Sequence, residues 1–144
     1  METKQGECKN FINLGVVLDA KGNVLMIRRA EKEEGKEGAV LEWAFPGGKQ
    51  KYEETREDCA KREVLAETGY DIKPIRQISL RIHPQFLITI VYHLCRLNYP
   101  KPVAEPSEPH EVAEIKWVKP EKIKSLITTD LDPLVAKELG ILLE

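Results

Sequence analysis

The chain has little of what would mark several protein classes. It holds only three cysteines in 144 residues, Cys8, Cys59 and Cys95, odd in number and far apart. That excludes a disulfide framework and a cysteine-rich zinc site, and fits a reducing compartment with idle thiols. No apolar run approaches the ~20 residues needed to cross a bilayer. The polar opening METKQGECKN offers no apolar stretch of the kind a signal peptide needs. Charge is balanced as well: 22 Lys and Arg against 24 Asp and Glu leave a formal net charge of −2. A general nucleic-acid binder or membrane-surface protein would carry a positive excess, and an enzyme of RNA ends would carry a basic stripe. The expectation is a soluble, cytoplasmic protein with no stable nucleic-acid partner and no membrane contact. Repeats are missing too, and the length suits one domain over residues 1–144 with residues 1–10 flexible.

What is present reads as alternating strands and a few helices. FINLGVVLD (11–19) reads as a buried strand, AKGN as its turn, and VLMIRR (24–29) as the returning strand. Residues 30–38, AEKEEGKEG, are charged and glycine-punctuated, which predicts an exposed loop. LEWAFPGGK then carries a short strand into a Pro-Gly-Gly turn. Thr55 suits a helix N-cap with Asp58 three residues on, and Gly69 suits a left-handed end after Thr68. Residues 72–82 and 86–97 read as strands, the second with the apolar, β-branched character of a central one. Four prolines between Asn98 and Pro109 exclude regular structure there. A strand over 113–118, a short helix from Pro120 to near Leu126, and a last helix from Pro133 to Leu142 complete the chain. The order β-β-β-α-β-β-β-α-α predicts a mixed sheet with helices against it.

The stretch GKQKYEETREDCAKREVLAETGY (48–70) is the most informative. Glu63 and Glu67 fall one turn apart on the predicted helix, within about 40° of each other at roughly 100° per residue. Two carboxylates so close repel, which favours a bound cation or a raised pKa. A glycine pair, Gly47 and Gly48, precedes them and allows close backbone approach. Taken together, Gly48, Glu54, Arg62, Glu63, Glu67 and Gly69 stand at spacings that resemble the Nudix box, G-x5-E-x7-R-E-U-x-E-E-x-G-U, where U is bulky and apolar. Val64 and Tyr70 fill the two U positions. One fixed position departs, with Ala66 standing where relatives carry Glu; Glu53 stands where many carry Gly.

The resemblance implies an α/β/α sandwich around a mixed β-sheet. It implies metal-dependent hydrolysis of a nucleoside diphosphate linked to another group. A (deoxy)nucleoside triphosphate giving monophosphate and pyrophosphate is the leading substrate. ADP-ribose or a nucleotide sugar is the alternative, and a weakened nucleotide-binding module a third. The partner is a small nucleotide, the cofactor Mg2+ or Mn2+, which takes oxygen ligands, and a homodimer is compatible. By the same resemblance Glu63, Glu67, the Gly47 carbonyl and a loop carboxylate hold metal. Glu63, Arg62 and Glu54 are the catalytic group, the last two as an ion pair bracing loop and helix. Among Glu108, Glu111 and Glu114 the reading selects Glu111 as the loop carboxylate, at the junction with the next strand. Arg28 and Arg29 point to opposite strand faces. With Gly48 and Lys49 they are the candidate phosphate contacts. Trp43 and Phe45 share a face and suit either core or a base-stacking shelf. His83, His93 and His110 show no ligand spacing.

Overall fold

The computed structural model of the chain describes residues 10–143. Cys8 and residues 1–9 of the expected flexible segment lie outside them. Seven strands form one mixed sheet, ordered β3-β2-β1-β6-β5, with β4 pairing β1 and β7 pairing β2. The strands are β1 (Phe11–Leu18), β2 (Val24–Glu34), β3 (Val40–Ala44), β4 (Gly47–Lys49), β5 (Ile72–Ile82), β6 (Thr89–Leu97) and β7 (Val112–Val118). Three helices join them: α1 (Arg56–Thr68), α2 (Pro120–Leu126) and α3 (Pro133–Leu139).

Alternation along the central strands separates two cores. Val16, Val24, Met26 and Tyr92 face one side, where Ile123 of α2 and Val135 of α3 cover them. Their neighbours Val17, Leu25 and Cys95 face the other side and meet Val64 of α1. Each fully buried apolar side chain of this kind stabilises the fold by about 1.5–3 kcal/mol. The result is an α+β architecture, with α1 on one face of the sheet and α2 and α3 on the other.

The sheet opens in its middle. β1 runs parallel to β6 over its whole length, from Phe11 opposite Thr89 to Leu18 opposite Arg96. On its other edge β1 meets β2 only at Leu18 and Val24. Beyond that point β2 turns to pair with β7 and β3. The short β4 fills part of the gap, pairing Gly47, Gly48 and Lys49 with Leu14, Asn13 and Ile12. The candidate site residues of the glycine turn and α1 gather beside this opening.

Several boundaries differ from the sequence reading: the expected Pro-Gly-Gly turn runs into the short strand β4, and the strand read over 86–97 begins at Thr89. The charged segment expected to be a loop continues β2 as far as Glu34. It pairs Glu33 with Leu41 and Glu34 with Val40 after a register shift, so backbone ladder bonds hold a stretch that carries no apolar pattern. The last helix stops at Leu139, because Gly140 takes a left-handed conformation and caps it, and Leu142 is left exposed.

Candidate metal and nucleotide site

Helix α1 begins as its sequence dictates. The Thr55 hydroxyl accepts from the Asp58 N–H at 3.0 Å, and Gly69 closes the helix with φ +81°. Its register turns Cys59, Ala60 and Val64 into the sheet and leaves Arg62, Glu63 and Glu67 along the rim near β4.

The Gly47–Gly48 pair permits a contact that no other residue would. Gly47 has φ +155°, and a Cβ there would lie 2.1 Å from the Asn13 carbonyl oxygen. A Cβ on Gly48 would fall 2.5 Å from the carboxyl carbon of Glu63. The Glu63 carboxylate therefore occupies the space a side chain at 48 would need. The Gly47 N–H donates to Glu67 Oε1 at 2.9 Å, fixing the second carboxylate beside the same turn.

Arg62 braces the arrangement. Its Nε and Nη2 donate to the two oxygens of Glu54 at 2.6 and 2.9 Å, Nη1 donates to Glu63 Oε2 at 3.0 Å, and Nη2 also reaches the Lys49 carbonyl at 3.1 Å. The Arg62 guanidinium holds the Glu54 carboxyl below the usual carboxylate range. Just before it, Glu53 has φ +67°, a left-handed conformation at the position where glycine is common in this motif.

A loop carries further carboxylates toward the helix. The Ser107 N–H donates to the Ala66 carbonyl at 2.9 Å, so the proline-rich segment lies against the turn of α1 that holds Ala66. The Glu111 carbonyl accepts from the Ala30 N–H at 3.0 Å, tying the end of that loop to β2. Glu108, passed over in the sequence reading, is hydrogen-bonded to Glu111, and this contact raises its carboxyl pKa. Its nearness to α1 comes from the path of an irregular loop, which no spacing rule describes. Burial pushes the Glu67 carboxyl up to about 8; the Gly47 amide works against that rise, and the charges of Glu63, Glu108 and Glu111 add to it.

By its chemistry this donor set fits a divalent cation: hard oxygen ligands, more negative charge than Arg62 balances, and a glycine turn open to close approach. Among the described residues no three carboxylate, histidine or cysteine side chains are grouped tightly enough to enclose an ion as they stand. Glu63, Glu67, Glu108 and Glu111 are the residues available to converge on one.

Beside the carboxylates lies a partly open cavity of about 180 Å³. Leu14, Trp43, Phe45 and Tyr92 supply apolar walls, and Gly47, Gly48 and Glu67 form one border. Arg29 lines it, held by Glu33 at 3.4 Å. Arg28 turns away to Glu114 of β7 at 3.2 Å and does not join the site. Lys49 is exposed at the end of β4. Trp43 is thus partly core and partly cavity wall, which its strand position alone left open. At the far end Asp130 and Asp132 line the cavity, and Arg81 bonds Asp130 at 2.6 Å.

The NUDIX domain family matches residues 12–137, most of the chain. This protein belongs to the Nudix family. A relative named as a putative 8-oxo-dGTP diphosphatase from Bacillus subtilis (strain 168) is 27% identical over 108 residues, covering 75% of this chain. The match spans 65% of that relative, slightly under two thirds of its length. Among solved structures, a MutT protein from Methanosarcina mazei Go1 has 24% identity and a TM-score of 0.62, covering 91% of this chain and 90% of its own. An ADP-ribose pyrophosphatase from Streptococcus suis 89-1591 has 20% identity and a TM-score of 0.58, covering 92% and 87%. These likenesses place the sheet and its helices in the Nudix fold. No helix among the described residues is long and apolar enough to cross a membrane.

Proposed function

We propose that this Nudix protein hydrolyses the diphosphate linkage of a nucleoside diphosphate derivative, with a (deoxy)nucleoside triphosphate as substrate and monophosphate and pyrophosphate as products. The observation that carries this reading is the continuity of the apolar cavity with the Gly47–Gly48 turn and Glu67. A flat heterocycle lodged against Trp43, Phe45 and Tyr92 would leave its attached phosphates beside the carboxylate helix. The relative named as an 8-oxo-dGTP diphosphatase supports a triphosphate.

In this reading Glu63, Glu67, the Gly47 carbonyl and Glu111 hold Mg2+ or Mn2+, with Glu108, on the same loop as Glu111, as a further candidate. Such an ion, when bound, neutralises phosphate charge and acidifies water. The chain's own residues do the rest. Arg62 keeps Glu63 at the glycine turn, and Glu54 keeps Arg62 in place. Glu63 or Glu111 takes the proton from the attacking water, each being a carboxylate at the border of the phosphate site. Arg29 supplies positive charge to the substrate at the cavity, and Gly48 lets the phosphate chain approach the backbone. In this reading the chain acts as one domain in the cytoplasm.

The test is a panel of nucleotides with Mg2+ or Mn2+, read by phosphate and pyrophosphate release. Pyrophosphate from a triphosphate supports the proposal. Turnover of ADP-ribose alone would replace the substrate, and binding without turnover of anything would replace the enzyme reading.

A further inference from the structure

Three buried polar side chains have no part in the chemistry above. Asn13, Gln50 and His93 are 0%, 6% and 0% exposed. They lie on the α1 side of the sheet, and an unpaired polar group there would cost stability. Instead they are linked. His93 Nε2 is 2.8 Å from Asn13 Oδ1, Asn13 Nδ2 donates to Gln50 Oε1 at 2.8 Å, and Gln50 Nε2 donates to the Glu54 carbonyl at 2.9 Å. Because Asn13 spends its amide N–H on Gln50, its oxygen must accept, which puts the imidazole proton on Nε2. Nδ1 of His93 is buried and has no partner among the described residues. Every link therefore runs in one direction, from β6 through β1 to the loop.

That chain ends where the catalytic brace begins. Gln50 holds the main chain of Glu54 from beneath, and Arg62 holds its carboxylate from above. The next contact is Arg62 Nη1 to Glu63 Oε2. Loop residues 50–54 belong to no strand or helix, and Glu53 within them keeps a left-handed backbone that strains a non-glycine residue. Something must hold that loop in register. An apolar trio would fill the same volume without fixing a direction.

We infer that His93, Asn13 and Gln50 are positioning residues that set the 48–54 loop and, through Glu54 and Arg62, aim the Glu63 carboxylate. This rests on the function proposed above for Glu63. His93 supplies the first donor, Asn13 accepts from it and donates onward in the same sense, and Gln50 carries the chain out of the core to the loop. None of the three touches substrate or metal.

The experiment compares whole-chain His93→Leu, His93→Gln and Gln50→Leu variants with the parent protein. The first reading is the 15N NMR signal of Arg62 Nε–H, taken without metal or nucleotide. The second is Mn2+ affinity by direct titration, and the third is the division of any rate loss between kcat and KM. Both Leu variants are expected to shift or broaden the Arg62 signal and to weaken Mn2+ binding about tenfold or more, as loss of a supporting partner does at metal sites. kcat should fall with KM changed by less than about twofold. His93→Gln places an amide N–H near the site of Nε2 and should restore all three. If His93→Leu does not fold, Gln50→Leu, at the loop, carries the test. An unmoved Arg62 signal in a folded Leu variant, or a Gln variant as impaired as Leu, overturns the inference. A parent protein that neither binds Mn2+ nor turns over nucleotide overturns the proposed function instead, while the Arg62 signal still decides the relay.

Discussion

Arg62 grips Glu54 with two parallel contacts, Nε to Oε2 at 2.6 Å and Nη2 to Oε1 at 2.9 Å. The pair is half-buried and joins the loop to α1 at the point where Glu63 turns toward Gly48. Replacement by Lys would keep the charge and lose the fork. Arg62→Lys is expected to lower kcat at least ~10-fold, with stability reduced by about 1 kcal/mol or more from the lost charge-assisted bonds. Steady-state kinetics beside thermal unfolding checks both. Parent-like kinetics in the Lys variant would remove Arg62 from the brace.

Glu53 offers a stabilising substitution. Its left-handed backbone and exposed side chain mean that Glu53→Gly relieves strain without removing packing. Stability should rise by about 0.5–1 kcal/mol, reduced by the extra chain entropy that glycine brings. A fall in unfolding temperature would show that the strain lies elsewhere.

How much of this was legible in the sequence differs from one part to the next. Helix α1 could be read to the residue, because Thr55, Asp58 and Gly69 act locally. β1 and β2 followed from their apolar runs on either side of the AKGN turn. β2 beyond Ala30 was not legible, since Glu33 and Glu34 are held by ladder bonds to β3 rather than by burial. The cavity was not legible either: Leu14, Trp43, Tyr92 and Asp130 come together only through the opening between β1 and β2. Alternation sent Arg28 and Arg29 to opposite faces, yet only tertiary structure says that Arg29 lines the cavity and that Arg28 pairs with Glu114. His93 gave no signal, because a relay partner has no spacing rule; Asn13 lies 80 residues from His93 along the chain, and Gln50 lies 37 from Asn13.

His93 also sets a pH dependence. Burial lowers its pKa, with the Glu57 charge opposing and the Arg56 charge assisting. A depressed pKa means that the unfolded chain binds the proton more readily than the folded one. The stability tied to neutral His93 is therefore complete above pH ~6.5 and is lost as pH falls through the lowered folded value. Glu67 works in the opposite sense, because its raised pKa favours the folded state as pH falls from about 8. The comparison that isolates His93 is the parent protein against His93→Gln. The advantage of the parent over the Gln variant should shrink between pH 7.5 and 5.5 in thermal unfolding. A constant difference across that window would mean that folding leaves the His93 pKa where the unfolded chain has it.

Ala66→Glu would place a carboxylate at the position where the family motif has one, on the turn whose carbonyl holds Ser107. Added repulsion among Glu63, Glu67 and the new group should lower stability without metal. Added Mg2+ should restore more than it does for the parent protein. The rate should reach half its maximum at lower Mg2+. An unchanged titration would mean that position 66 does not face the cation.

The central claim is that Glu67 helps to hold a catalytic cation at the Gly47–Gly48 turn. Glu67→Gln keeps the shape and an oxygen for the Gly47 N–H while removing the charge. The most direct measurement is kcat of this variant at saturating Mg2+, on the nucleotide that the parent protein turns over best, with unfolding temperature recorded alongside. The account predicts a fall of at least ~100-fold with no loss of stability. Turnover within a few-fold of the parent protein in a folded variant would contradict it.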